Sequence, residues 1–144
     1  MPWPAEGWSR LHRVTDRDVD PWYNVCADSP GLYRLIALTD AISLIPATLQ
    51  RVCEPDGSGT LYIGSTSSLP RRLSEMVRSR DTGRFQTRAY KALPARLSAA
   101  FPPDRLAICW TYLPEDVDRF AEERGLITAY TDVFGEPPPL NAMP

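Results

Sequence analysis

Two residues stand where their chemistry would be held in place: Arg72 and Glu123. Arg72 lies beside Leu73 and one helical turn before Met76, on the flank of an apolar stripe. A guanidinium keeps its charge and offers planar paired donors to phosphoryl oxygens. Its neighbour Arg71 is rotated by about 100° and points toward solvent or a nucleic-acid backbone. Glu123 falls three residues after Phe120 and four before Ile127, toward the apolar side of a helix. Glu122 falls instead with Asp118 and Leu126 and reads as surface charge. A carboxylate at a buried face is costly unless it is paired or binds a cation. One carboxylate, several waters and a phosphate suit a magnesium-like ion. Both residues also suit plainer uses: a surface salt bridge for Arg72, and for Glu123 a buried-edge pair, for example with an arginine of the first helix.

Charge distribution and cysteine usage narrow the chemistry. The 144-residue chain carries a net charge of −2, with no global basic field of the kind a dedicated nucleic-acid binder shows. Residues 71–96 nevertheless hold eight basic residues against Glu75 and Asp81, whereas residues 104–144 hold eight acids against three arginines. One face can therefore meet phosphates, although a solvated helix surface explains such a run equally well. His12 is the sole histidine, and Cys26, Cys53 and Cys109 form no CxxC pair, which excludes a Cys/His zinc site or a Ser–His–Asp hydrolase. Free thiols, an N-terminus without a signal-peptide core and no apolar run long enough to span a bilayer lead us to expect a cytoplasmic protein without membrane contact.

The elements that must position these residues follow from patterning. Residues 1–30, with Trp3, Trp8, Trp22 and several breakers, read as an arm packed on the domain of residues 31–144. GLYRLIAL from Gly31 reads as a first strand. Residues 39–59 form an insertion, helical or irregular around Pro46, and end in the turn Asp56-Gly57-Ser58-Gly59. TLYIGS follows as a second strand. Leu69, Leu73, Met76 and Val77 predict a helix over residues 69–80, followed by a loop over 81–87. Leu93, Leu97, Ala100 and Phe101 predict a short second helix. LAICWTYL is a third strand, with Ile108, Trp110 and Tyr112 on one face. Pro114, Glu115 and Asp116 predict the start of a last helix, whose stripe of Val117, Phe120, Ile127 and Tyr130 runs to Phe134 before Gly135. The order predicts an α+β domain with a small, mainly antiparallel three-stranded sheet flanked by helices.

Gly31-Leu32-Tyr33 and Tyr62-Ile63-Gly64, each in a predicted strand, resemble the paired motifs of the GIY-YIG nuclease family. The likeness continues through Arg72, ten residues after Tyr62, through Glu123 four residues before Ile127, and through Asn141 in a Pro-rich turn, PPPLN. It covers residues 31–141. The resemblance implies a metal-dependent endonuclease that hydrolyses phosphodiester bonds, with DNA the expected substrate over RNA and Mg²⁺ or Mn²⁺ the expected cofactor at Glu123. It implies that Tyr33 and Tyr62 crowd the scissile phosphate, with Tyr33 as base and Tyr62 positioning the phosphate. Arg72 would then meet developing charge, and Asn141 would close the site or cap the final turn. The plain alternative for both tyrosines is a half-buried place in a strand. Ser65, Arg71, Arg80, Arg84, Arg88 and Lys91 form the expected nucleic-acid contact set.

The chain departs from the family pattern in three places. Tyr33 and Tyr62 are 29 residues apart, so residues 39–59 must loop out without spoiling the strand pairing. Met76 stands where many members carry Tyr or His. Residues 83–87, GRFQT, lack the histidine that some members carry there. The tyrosines must then suffice, or the chain is a catalytically impaired module that binds nucleic acid or a protein partner without cutting. Without a zinc finger or helix-turn-helix signal, a protein partner is expected to supply targeting.

Overall fold

A computed structural model describes residues 3–4, 6–15, 25–78 and 100–141, the side chains of Val77 and Arg78 excepted. Trp22, Arg80, Arg84, Arg88, Lys91, the predicted loop over 81–87 and residues 93–99 of the predicted second helix lie outside the described residues. The elements are β1 (His12–Arg13), β2 (Gly31–Ala37), β3 (Thr60–Thr66), α1 (Leu69–Arg78), β4 (Leu106–Tyr112) and α2 (Arg119–Phe134). They form an α+β fold around one sheet of order β1-β4-β2-β3, antiparallel at every neighbouring pair.

The sheet has four strands where patterning predicts three. The added strand is two residues of the arm, His12 opposite Ile108 and Arg13 opposite Ala107. Such a pair is too short to show alternation. It is fixed by its neighbours, with Ser9 N donating to Trp110 O at 2.8 Å and Val14 N to Leu106 O at 2.9 Å.

Both faces of the sheet are covered, which is why all seven β2 residues are buried and GLYRLIA shows no polar face. On one face Leu69, Leu73 and Met76 of α1 share a core with Tyr33, Leu35, Ile108 and Trp110. On the other, Trp8 and Leu11 of the arm cover Ile36, Leu38, Ala107 and Cys109. Beside them Tyr130 and Phe134 of α2, with Trp3, cover Ile63. The arm is pinned by Arg34, only 5% exposed. Its guanidinium carbon lies 5.4 Å from the Trp3 ring centre and 4.6 Å from that of Trp8, and its Nη1 donates to Thr60 Oγ1 at 2.9 Å. Tyr112 shares the face of Ile108 and Trp110, as expected, but at the strand end it is about half exposed, its hydroxyl accepting from Ala27 N at 3.1 Å.

Residues 39–59 are irregular, and β2 and β3 still pair, with one register shift between Leu35 and Ile36 at the end nearest the insertion. Two bridges, Leu38 to Pro46 and Leu49 to Asp56, fold the segment back on itself. Ala47 N donates to Ala37 O at 2.8 Å, so the insertion leaves and returns at the same sheet end. Asp56 closes the return by accepting from Ser58 N at 2.7 Å and from the Tyr130 hydroxyl at 2.8 Å.

The last helix starts later than Pro114 predicts. Pro114–Val117 is a turn, and Asp118 caps α2 by accepting from Phe120 N at 3.0 Å and Ala121 N at 3.2 Å. A carboxylate that can reach the free N–H groups of the first turn outweighs a favourable proline. Gly135 ends the helix as expected, left-handed at φ 83°, its N–H on Thr131 O.

Candidate phosphodiester site at the free edge of the sheet

Strand register decides which motif residues meet. Tyr33 lies opposite Gly64 and Leu35 opposite Tyr62, so Tyr33 and Tyr62 project from the same face on adjacent strands. Their ring centres are 6.2 Å apart. The motif glycines have steric causes. A Cβ on Gly64 would stand 2.5 Å from the Tyr33 hydroxyl oxygen and closer still to the ring, because the Tyr33 side chain crosses directly over it. A Cβ on Gly31 would meet the Leu69 side chain and the Thr111 carbonyl, each at 2.5 Å. The first glycine thus lets α1 approach β2, and the second lets the phenol lie flat.

Arg72 reaches this pair from α1. Its Nε donates to the Tyr33 hydroxyl at 3.0 Å, and its Nη1 meets Glu75 Oε2 at 3.2 Å. The expected flank position holds: Leu69, Leu73 and Met76 are fully buried, while Arg72 is half-buried beside them. Burial alone would lower the guanidinium's pKa, but Tyr33 and Glu75 together hold it above its ordinary value. Tyr33 is 1% exposed. Burial pushes its phenol up to about 12, against the downward pull of Arg72, while Tyr62 and Glu123 push it further up. Burial and then Glu123 also raise Tyr62, against Arg72 and a hydrogen bond with Tyr33. Both phenols are therefore neutral near pH 7.

Glu123 and Asn141 act at the outer rim of β3, the free edge of the sheet. Edge strands leave every second residue's backbone groups unpaired. Leu61 O accepts from Leu140 N at 2.9 Å. Two residues on, Ile63 N donates to Asn141 Oδ1 at 2.8 Å and Ile63 O accepts from Asn141 Nδ2 at 2.9 Å. Two residues further, the backbone N–H of Ser65 donates to the Glu123 carboxylate. The Asn141 side chain thus braces the strand that carries Tyr62 rather than capping the final turn. Burial raises the Glu123 pKa above the usual carboxylate range, against the pull of the Ser65 N–H, Arg119 and Arg124. Among the described residues no ion pair engages Glu123, and neither Arg71 nor Arg72 of α1 pairs with it.

A polar cleft of about 150 Å³ opens beside Arg72, lined by Ser65, Thr66, Ser67, Arg71, Arg72, Glu75 and Arg119. Of the expected contact set, Ser65 and Arg71 lie in it. Glu75 and Arg119 were not singled out by sequence. Glu75 was legible as the residue one turn after Arg72, but Arg119 belongs to a distant helix and only tertiary packing brings it here. His12 stacks on Trp110 at 4.7 Å on β1, at the opposite edge of the sheet. Among the described residues there is no group of three or more His, Cys, Asp or Glu that could hold a metal ion. A cation at this site would have Glu123, a partly desolvated carboxylate with no ion-pair partner among the described residues, as its protein ligand. No described helix is long and apolar enough to cross a membrane. No family model, curated protein or solved structure matches the chain.

Proposed function

We propose that this protein is a metal-dependent endonuclease of the GIY-YIG type, hydrolysing phosphodiester bonds in DNA. The observation that supports this reading most is the convergence of Tyr33, Tyr62 and Arg72 on one face of the sheet, with Glu123 at its rim. In this reading the phosphate lies over the cleft beside Arg72, whose remaining guanidinium donors meet the oxygens that gain charge during cleavage. Glu75 and Tyr33 hold that guanidinium in one orientation. Tyr62 is the more accessible phenol and orients water at the phosphorus, while Tyr33 stands behind it as the partner of Arg72. This exchanges the roles that resemblance alone assigns to the two tyrosines, because a phenol only 1% exposed and raised to about 12 makes poor contact with solvent water and is a poor base. A divalent ion at Glu123, Mg²⁺ or Mn²⁺, would supply charge for a phosphoryl oxygen and lower the pKa of bound water.

The test is incubation of supercoiled plasmid with the protein and Mg²⁺ or Mn²⁺. Metal-dependent nicking that is lost in both Arg72→Ala and Glu123→Ala supports the reading. Folded protein that binds DNA without nicking it would instead support a non-cutting module. Two observations favour that second reading: no described site residue is a histidine, and both phenols have pKa values raised further above neutral pH, so neither is a ready base.

A further inference from the structure

We infer that Arg119 and Phe120 form a stacking platform for an unpaired nucleotide next to the scissile phosphate, so that the preferred substrate is a single strand or a frayed junction rather than continuous duplex. This inference rests on the nuclease reading above for its scissile phosphate. Helical spacing places Phe120 in the buried stripe with Ile127 and Tyr130, yet the ring is 52% exposed. Glu123 sits at the rim, bound to the β3 edge at Ser65. Phe120 lies on the same side of the helix, one turn earlier and about 4.5 Å further along the axis, next to Arg119, which lines the cleft with Thr66 and Ser67 at the end of β3.

The exposed ring is tied to the cleft. The Arg119 guanidinium carbon stands 4.4 Å from the Phe120 ring centre, and Arg119 also lines the cleft beside Arg71 and Arg72. Three guanidinium groups thus face that cleft, and Glu75, which pairs with Arg72, is the one carboxylate among its lining residues. A phosphate held there leaves the attached nucleoside within one helical turn of an exposed aromatic face. Aromatic rings and arginine stack on bases of any sequence, provided that the base face is free. In continuous duplex both faces are already stacked on neighbours, and freeing one costs unstacking and unpairing. The platform therefore rewards a base that is already unpaired.

The experiment compares cleavage of one labelled strand presented as continuous duplex, as single strand and as a duplex with a single-stranded flap, in Mn²⁺. Wild type is expected to cut the unpaired forms faster. Phe120→Ala should bring the ratio of flapped to duplex cleavage close to one, chiefly through a rise in KM of about tenfold on the flapped form, whereas Phe120→Trp should keep the ratio. The exposed position lets both variants fold, which their Tm values would verify. Equal cutting of all three forms by wild type, or an unchanged ratio in Phe120→Ala, would overturn the inference. If no form is cut, the nuclease reading fails on its own. Fluorescence anisotropy with the labelled single strand in EDTA then tests the platform directly: weaker binding by Phe120→Ala but not Phe120→Trp sustains it, and equal binding by all three proteins refutes it.

Discussion

Arg72 Nε donates to the Tyr33 hydroxyl across 3.0 Å, and Tyr33 in turn lies flat over Gly64. A helix, a central strand and an edge strand are thereby locked around one guanidinium, and substitutions at these positions should separate positioning from chemistry.

Arg72→Lys should keep the charge but lose the planar fork and its fixed bond to Tyr33. We expect a fall in cleavage rate on the order of 10²–10³ for Arg72→Ala, with Arg72→Lys closer to the alanine variant than to wild type. Plasmid-nicking kinetics measure both. A lysine variant of near wild-type rate would show that only a point charge is needed.

Gly64→Ala inserts a methyl group into the Tyr33 ring and should destabilise the fold by about 1–3 kcal/mol, the usual cost of overpacking. In a Tyr33→Ala background the same change should cost much less, because the obstructing ring is gone. Denaturant unfolding of the double-mutant cycle checks this. Strictly additive effects would mean that the ring does not cross Gly64.

Glu123→Gln removes a half-buried charge yet keeps an oxygen for the Ser65 N–H. The sign follows from the raised pKa: the folded state favours the uncharged carboxyl, so wild type is stabilised as pH falls through the raised value and carries a penalty above it. At neutral pH without metal, Glu123→Gln should therefore raise Tm by roughly 2–4 °C while abolishing cleavage. A Tm equal to or below that of wild type in EDTA would contradict the strain assigned to this carboxylate.

Alkaline pH should destabilise the protein through Tyr33. Its folded pKa is about 12 against an ordinary value of 10.0, so the unfolded chain loses this proton first. Stability from this group is complete below pH 10 and is lost as pH rises toward 12, by on the order of 2–3 kcal/mol. Cys26, pushed up to about 11 by burial and then by Asp28, acts in the same direction from about pH 9. Tyr33→Phe should flatten the fall of stability with pH between 10 and 12, measured by urea unfolding.

Asn141→Ala removes two hydrogen bonds to Ile63 and should cost about 1–3 kcal/mol. Its local signature is faster hydrogen exchange at the Ile63 amide. Cleavage should fall less than in Arg72→Ala, since Asn141 braces the Tyr62 strand without reaching the phosphate position. An unaltered exchange rate at Ile63 would remove Asn141 from this role.

Local patterning alone determined the three longer strands, the buried stripe of α1, the glycine stop of α2 and the motif residues themselves. Each of these rests on neighbours within one turn or one strand, where periodicity and steric preference act directly. Tertiary structure decided the rest. Strand β1 exists only because β4 offers it a ladder, and Asp118 displaced Pro114 as the helix start by reaching two N–H groups. Phe120 kept the helical period of a core residue yet stands 52% exposed in the first turn of α2. Arg119 beside it reaches the cleft at the end of β3. Which faces of a helix find a partner depends on where the helix ends relative to distant strands, and that distance is not written in the spacing of side chains.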